Sequence, residues 1–264
     1  MPDPVYVLDD LRDESAELDA LVRELSDEEW AAPTPAPGWS VAHQIAHLAW
    51  TDATALLAAT DAESFAREVE KAVAAPESFV DEGAEELVVL PPGELLVRWR
   101  EGREELQRVL RARPAGERLP WYGPPMSVTS MGTARLMETW AHGLDVADAL
   151  GVRPEPTARL RHVVHLGVRT RDFAFGVHGL PVPEGEFRVE LVGPDGELWV
   201  YGDEGAGQCV TGSAYDFCRL VVQRAHRDDL DLRAEGADAD RWLDIAQCFA
   251  GLPGKGRTPG SARG

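Results

Sequence analysis

The sequence predicts a mainly α-helical protein, with a four-helix bundle over residues 1–153 and a smaller α+β domain over 154–252. Three observations predict this fold class. Apolar residues recur at helical spacing through the first 150 residues, and from Glu186 onward the apolar period changes to two. The end of the chain, LPGKGRTPGSARG, is rich in Gly and Pro and has no apolar side chain beyond alanine after Leu252, so residues 253–264 are expected to be disordered or loosely draped.

The first two bundle helices are predicted from leucine spacing and from capping residues. Leucines recur with acidic residues between them over 5–25, which indicates an amphipathic helix. Ser26 and Glu29 form a capping-box pair that opens a short helical turn. The Pro- and Gly-rich stretch APTPAPGW then breaks the chain, and Ser40 is the expected N-cap of a helix over 41–59.

Residues 61–90 are predicted to form one or two shorter helices interrupted at Pro76, roofing one end of the bundle. Long helices are expected over 93–113 and 130–150. The connection between them, GERLPWYGPPMSVTS, is stiff and aromatic. It either walls a ligand pocket or packs as a crossover loop.

The second domain is predicted to begin with a helix over 158–175. FRVELVG and ELWVYG alternate as strands do, and PDG between them indicates a hairpin turn. A strand at 208–211, a helix, a last strand or turn and a closing helix follow. His162 and His165 lie three residues apart on the first helix, where core or surface histidines are favoured over a second metal site because no carboxylate-rich partner segment is apparent.

Composition limits the possible partners. The net charge is -20, which argues against nucleic acid and against an anionic membrane surface. No run of 18 apolar residues exists and the N-terminus lacks signal-peptide features, so a cytoplasmic location is expected. The three cysteines lack C-x-x-C spacing, which favours buried free thiols over a disulfide, with a catalytic Cys218 as a minor alternative.

Two pairs of residues have the spacing of metal ligands on a helix. Glu138 and His142 lie four residues apart, as do His43 and His47, so the members of each pair share one helical face. If the two helices pack with these faces inward, His47, Glu138 and His142 form a site of two histidines and one carboxylate with open positions. The alternative is a surface pair or a hydrogen-bonded core histidine.

The segments PGWSVAHQIAHLAW and METWAHGLDVADALG resemble the DinB-like, metal-binding members of the mycothiol-dependent maleylpyruvate isomerase family, in an actinobacterial branch. The resemblance covers about residues 5–250. It implies a DinB-like four-helix bundle followed by a sterol-carrier-like α+β domain, and a metal held by His47, Glu138 and His142. His43 stands where family members vary and is interpreted as a cavity residue or one that supports the ligands.

The ligand set and the resemblance together predict the chemistry. Two imidazoles and a carboxylate would bind a divalent metal, with zinc foremost and Ni²⁺, Fe²⁺ and Mn²⁺ open, and the metal would activate a thiol or water. The resemblance implies mycothiol as the thiol cosubstrate. The products would come from thiol transfer to a small electrophile or from cis-trans isomerisation. In this interpretation His43 and Asp145 orient the ligands, although Asp145 could equally point outward. The pocket walls would be Trp50, Trp121, Tyr122 and Trp140.

Arg224 corresponds to a family arginine near the end of a helix that faces the active site and binds anionic substrate. Here Gln223 replaces the glycine of the family pattern, and an arginine on a solvated helix end is an equal alternative. The expected partners are a small-molecule substrate and a low-molecular-weight thiol, in a monomer or homodimer. A hypothesis of another class is a non-catalytic, metal-containing protein that binds a small molecule or acts as a scaffold.

Overall fold

The structure, a computed structural model, describes residues 4–114, 116–251, 253–254 and 256–260. The chain divides into two compact units, Met1–Pro154 and Glu155–Gly264. The first is helical and the second combines helices with a four-stranded sheet, which confirms the predicted fold class. Within the described ranges no helix is both long and apolar enough to cross a membrane.

The first unit is built on four long helices and three shorter ones. The long helices are α1 (Pro4–Val22), α3 (Val41–Thr60), α6 (Pro92–Arg111) and α7 (Val128–Ala149). The shorter helices are α2 (Asp27–Trp30), α4 (Ala62–Ala74) and α5 (Phe79–Val88). Two short strands, β1 (Arg118–Leu119) and β2 (Met126–Ser127), pair antiparallel just before α7, a pairing that the sequence did not predict.

Helix α3 is the centre of the bundle. It packs against α6, α7 and α5, while α1 packs against α7 and α6. One stripe of α3, with Val41, Ile45 and Leu48 fully buried, lies in an apolar cluster with Leu95 and Trp99 of α6. Because side chains three and four residues apart share a helical face, this stripe leaves the neighbouring face of α3 to meet α7.

The ends of the helices follow the predicted capping chemistry. The Ser26 amide donates to the Glu29 carboxylate (2.8 Å), which completes the capping box of α2. Ser40 is the N-cap of α3, and Pro76 lies in the break between α4 and α5. These local signals therefore determine where α2, α3 and α5 begin.

The second unit carries one mixed sheet with strand order β4-β3-β5-β6. Its strands are β3 (Phe187–Val192), β4 (Leu198–Tyr201), β5 (Gln208–Ser213) and β6 (Leu232–Glu235). Strands β3 and β5 are parallel, and the outer two pair antiparallel to them. The helices are α8 (Leu160–Arg169), α9 (Arg171–Val177), α10 (Ala214–Val221) and α11 (Ala237–Ile245), with buried Phe217 and Trp242 in edge contact between α10 and α11.

The second unit departs from prediction at one helix. The single helix expected over 158–175 is divided at Thr170, whose hydroxyl donates to the carbonyls of Leu166 and Gly167. A hydroxyl that bonds back to the preceding turn competes with the helical ladder. Cys218 and Cys248 are buried and Cys209 is partly exposed, and these three described cysteines form no disulfide.

The predicted domain limits at 153 and 252 stay predictions, as does the disorder of the tail. Residues 255 and 261–264 of that tail lie outside the described residues. The amide of Gly260 donates to the Asp229 carboxylate at 2.8 and 2.9 Å, so this described part of the tail contacts the second unit.

Candidate metal centre

Three predicted ligands meet between α3 and α7. His47 of α3 and Glu138 and His142 of α7 each offer a ligand atom, and these atoms lie within 4.8 Å of one another. Oε2 of Glu138 is 3.4 Å from Nε2 of His47 and 3.2 Å from Nε2 of His142. Within the described residues, these three side chains are the group that could hold a metal ion.

The spacing of these atoms suits a metal ion. Two ligands bonded at about 2.0–2.1 Å to a tetrahedral ion lie about 3.3 Å from each other. The two separations between Glu138 Oε2 and the histidine Nε2 atoms, 3.4 and 3.2 Å, match that value. Because the three ligand atoms all lie within 4.8 Å of one another, these side chains could hold a small divalent cation.

A chain of hydrogen bonds determines which nitrogen of His142 is available. The Thr34 hydroxyl donates to the Trp39 carbonyl (2.8 Å), so it can only accept from the Gln44 amide nitrogen (2.9 Å). The Gln44 amide oxygen then faces Nδ1 of His142 at 2.5 Å, and this nitrogen must carry a proton to donate. The lone pair of a neutral His142 is consequently on Nε2, toward Glu138.

This arrangement needs a positive charge between His142 and Glu138. With Nδ1 donating to Gln44, a neutral His142 presents a lone pair on Nε2 to a carboxylate oxygen 3.2 Å away. Two electron-pair donors repel unless a proton or a cation lies between them. Either His142 is doubly protonated or the pair holds a metal ion, and a ligating histidine commonly has just such a partner on its other nitrogen.

The carboxylate of Glu138 is ionised in this setting. Burial opposes its charge, but hydrogen bonds from His142 and His47, when their Nε2 atoms carry protons, and the charge of Arg135 together hold the pKa of Glu138 well below its usual range. Its side chain is 22 % exposed, so one side of the cluster is open. An ionised carboxylate is the form that binds a metal.

His47 carries a polar atom that the fold does not satisfy. Its side chain is 7 % exposed, and Nδ1 is buried without a hydrogen-bond partner among the described residues. A buried unsatisfied group costs on the order of 1–3 kcal/mol. The polar contact of this imidazole is instead through Nε2, which faces Oε2 of Glu138 at 3.4 Å, so Nε2 is the nitrogen that would bind a metal.

One turn before Glu138, a buried ion pair connects the same two helices. The Arg135 guanidinium donates to the Asp52 carboxylate (3.0 Å) and to the Thr51 hydroxyl (2.7 Å) on α3. Arg135 and Asp52 are 1 % and 4 % exposed. Because breaking such a pair leaves a buried charge, the contact holds α3 and α7 in the register that brings His47 to Glu138.

Two tryptophans lie beside the cluster. The Trp39 ring stacks on His142 with centroids 5.9 Å apart and is 5.3 Å from the His47 ring. The Trp50 ring is 6.0 Å from the His47 ring. Trp50 and Phe79 also line a cavity of about 280 Å³ whose other lining residues come from α4, α5 and the turn between them. Trp50 thus packs beside His47, and its function as a wall of the ligand pocket stays a prediction.

The aromatic loop before α7 packs against α4 and α5. Tyr122 packs on Phe65 and Phe79 with centroids 5.2 and 5.5 Å apart, and Trp121 stacks on Phe65 at 5.8 Å. Burial raises the pKa of Tyr122 to about 12, so its hydroxyl stays protonated. Trp121 and Tyr122 continue the aromatic packing that starts at Trp50, and their ligand contacts stay predictions.

The remaining predicted residues of the first unit occupy distinct positions. Nδ1 of His43 accepts from the Ser40 amide (3.2 Å), and its Nε2 lies 3.3 Å from the Glu85 carboxylate. His43 therefore caps α3 and contacts α5. Asp145 is fully buried, which excludes an outward orientation, and Trp140 is 8 % exposed. The proposed orienting and wall functions of these residues stay predictions.

Arg224 lies in the second unit, just past the end of α10. Its amide donates to the Arg219 carbonyl and its guanidinium to the Val222 carbonyl, at 2.8 and 2.9 Å. Gln223 before it has a φ of +59°, the left-handed conformation that glycine favours at a helix end. Gln223 therefore stands in a conformation that favours glycine, and substrate binding by Arg224 stays a prediction.

Sequence reasoning missed the residues that support the ligands. Gln44, Thr34 and Trp39 had no assigned function, although Gln44 lies three residues before His47 and so shares its helical face. That spacing was an available signal for Gln44. Trp39 and Thr34 belong to the irregular segment before α3, where periodicity carries no information.

Known proteins resemble this chain in sequence and in fold. The family model for the mycothiol maleylpyruvate isomerase N-terminal domain matches residues 11–147. The chain belongs to this family. The resemblance carried by the two motifs is confirmed, since the match spans both His47 and the Glu138/His142 pair.

Two uncharacterized proteins of Mycobacterium tuberculosis, from different strains, are each 58% identical over 257 residues, covering 97% of this chain and 100% of theirs. Crystal structures of the mycothiol-dependent maleylpyruvate isomerase and of a mutant of it match with a TM-score of 0.56. These matches cover 85% of this chain and 90% of the other, at 17% and 16% identity. At that level of identity, the likeness to the solved enzyme shows a shared fold.

Proposed function

We propose that this protein is a metal-dependent enzyme of the mycothiol-dependent maleylpyruvate isomerase type, which activates a thiol or water toward a small electrophilic substrate. The metal would be held by His47, Glu138 and His142. The observation that supports this most directly is that Nδ1 of His142 is engaged by Gln44, so that Nε2 faces a Glu138 carboxylate oxygen 3.2 Å away. A divalent cation bound there would take the place of the proton that this contact otherwise requires, and it would bind all three donors.

The residues of the chain have separable tasks in this proposal. Glu138 and the two imidazoles bind, Gln44 orients His142, and Arg135 helps to keep Glu138 ionised. Held there, a divalent metal would lower the pKa of a bound thiol or water by several units and so supply a nucleophile near neutral pH. Trp39 and Trp50 limit the access of water to the imidazoles from the sides on which they pack.

Three donors leave positions for exogenous ligands, which is typical of catalytic sites and untypical of structural ones. The partly exposed Glu138 side chain marks the open side. The family supports mycothiol as the thiol and an activated alkene as the electrophile, giving thiol addition or isomerisation by reversible addition. Zinc is the proposed metal because two imidazoles and a carboxylate suit it, and a cytoplasmic location remains part of the proposal.

Metal analysis followed by a thiol-consumption assay tests the proposal. The purified protein, stripped with a chelator and then loaded with Zn²⁺, Ni²⁺, Fe²⁺ or Mn²⁺, should bind one ion per chain. With mycothiol and an activated alkene such as maleylpyruvate, the loaded protein should consume thiol or isomerise the alkene. His47→Ala and Glu138→Gln should lose the ion and the activity, whereas His178→Ala, an exposed histidine of the second unit, should retain both.

The outcomes separate the two functional hypotheses. A wild-type chain that binds no divalent ion contradicts the metal centre itself. A chain that binds one ion but consumes no thiol with any electrophile supports the non-catalytic, metal-containing alternative. Activity that survives Glu138→Gln at full rate contradicts the assignment of the site.

A further inference from the structure

Helix α5 lies outside the four long helices, yet it contacts three groups around the metal cluster. Asp81 accepts from the Trp39 indole (Nε1 to Oδ1, 3.0 Å), and Glu85 lies against His43. Between them, Gly83 packs on the Trp50 indole. One short segment of α5 therefore touches both tryptophans that lie beside His47.

Trp39 is held in place from several directions. Its carbonyl accepts from the Thr34 amide and hydroxyl, both at 2.8 Å, and its indole N–H is bonded to Asp81. The ring packs on both metal-binding histidines, stacked on His142 and 5.3 Å from His47. An aromatic ring stacked on an imidazole restricts the plane of that imidazole, and the plane determines where Nε2 points.

Trp50 depends on the absence of a side chain at Gly83. A Cβ atom added to Gly83 would lie 2.3 Å from Cε2 and 2.5 Å from Cδ2 of the Trp50 indole, well inside van der Waals contact. Gly83 is buried and lies within α5, where glycine is otherwise unfavourable. Its presence is explained by the close approach of the Trp50 ring.

We propose that α5 sets the positions of the two indoles next to His47, so that Trp39 and Trp50 are positioning residues of the metal centre. Trp39 restricts the planes of both imidazoles and is held by its hydrogen bond to Asp81. Trp50 packs beside His47, and its ring occupies the space that a side chain at position 83 would fill. This inference rests on the proposed metal function of His47, Glu138 and His142.

The test uses the full chain loaded with Co²⁺, whose visible absorption reports ligand geometry independently of any activity. Trp39→Ala should weaken Co²⁺ binding about tenfold and shift the absorption bands, as loss of a group behind a ligand does. Trp39→Phe keeps a ring against the imidazoles and should recover affinity to within about threefold. Asp81→Ala should shift the bands less than Trp39→Ala. The control Glu77→Ala, which removes an exposed charge just before α5, should not shift them.

Replacing glycines by alanine tests the positioning role of Trp50 with the same Co²⁺ spectrum. Gly83→Ala must displace the Trp50 ring and should change the Co²⁺ spectrum. Gly102→Ala, in α6 with no atom within 4 Å of the added Cβ, should leave it unchanged. Circular dichroism checks that each variant is folded, and if Trp39→Ala does not fold, Asp81→Ala and Gly83→Ala carry the test.

The two proposals fail differently. If folded Trp39→Ala and Gly83→Ala bind Co²⁺ with the affinity and spectrum of the wild type, the positioning role of α5 is overturned while the metal centre stands. If the wild type itself binds no Co²⁺ or other divalent ion, the proposed function is overturned, and the positioning role with it.

Discussion

The two faces of α3 serve different purposes. Toward α6 it presents Val41, Ile45 and Leu48, each 0 % exposed and packed in an apolar cluster. Toward α7 it presents Gln44 and His47, which are 0 % and 6 % exposed and hydrogen-bond or contact α7 side chains. Both faces are buried to a similar extent, although their chemistry is opposite.

The comparison separates stability from function. Burying apolar side chains stabilises the fold at roughly 25 cal/mol per Å², whereas burying polar groups contributes little even when every group is bonded. The polar face includes one nitrogen, Nδ1 of His47, with no partner among the described residues. The polar face of α3 is therefore explained by the ligand that it would bind rather than by a contribution to the stability of the fold.

The largest effect on stability is expected from Arg135→Met, which removes a contact between α7 and the polar face of α3. The substitution leaves the Asp52 carboxylate buried and unpaired, and breaking a buried ion pair costs about 4 kcal/mol. Urea denaturation of the variant measures this loss. Arg135→Met combined with Asp52→Leu should recover most of it, and a double variant as unstable as the single one would contradict the ion-pair explanation.

Leu95→Ala tests the packing of α6 against the apolar face of α3. Leu95 is fully buried against α3, so its truncation should lower the free energy of unfolding by about 3 kcal/mol. Val97→Ala on the same helix removes a side chain that is 48 % exposed and should cost less than about 0.5 kcal/mol. Metal affinity should be unchanged in both. A large affinity loss in Leu95→Ala would show that the two faces of α3 are not separable.

Gln44→Leu should affect metal binding more than stability. It removes the acceptor for Nδ1 of His142, and loss of such a partner weakens metal affinity about 10–100-fold. Titration with Zn²⁺ in the presence of a competing chelator measures the change. Unchanged affinity would mean that the His142 ring is oriented by Trp39 alone.

The ion pairs of Asp19, on α1, are expected to make the stability of the fold depend on pH. The hydrogen bond from Arg100 lowers the pKa of Asp19 below its ordinary value of 3.8, against burial and with help from Arg103. A carboxylate with a lowered folded pKa contributes stability that is fully present above the unfolded pKa and is lost as pH falls through the folded value. Asp19→Asn should therefore be less stable near pH 7 and lose less stability on acidification, as denaturation at several pH values would show. Burial raises the pKa of Asp52, so the contribution of Asp52 to stability falls as the pH rises, which is opposite to that of Asp19.

The smallest effect is expected at the end of α10. Gln223 adopts a left-handed φ of +59°, which costs a non-glycine residue on the order of 1 kcal/mol. Gln223→Gly should raise the free energy of unfolding by about that amount, measurable as a shift in Tm. Gln223→Ala keeps the strained backbone and should give no gain. Equal stabilisation by both would place the effect in the Gln223 side chain instead.

The sequence by itself determined the local structure. Spacing of apolar residues predicted the long helices, Ser26, Ser40 and Pro76 predicted where helices begin or break, and alternation predicted β3 and β4. Helical periodicity also determined that Glu138 and His142 share a face. Each of these follows from interactions over a few residues, which a single chain reveals without knowledge of its fold.

Only the tertiary structure decided what those faces meet. It brought His47 to Glu138, turned His43 toward Glu85 and placed Gln44 behind His142. It also placed Trp39, from an irregular segment, over both imidazoles. Periodicity specifies which residues share a side of a helix, but the packing of whole helices determines the partner across the interface. That packing depends on contacts between residues far apart in the chain, which local patterns do not encode.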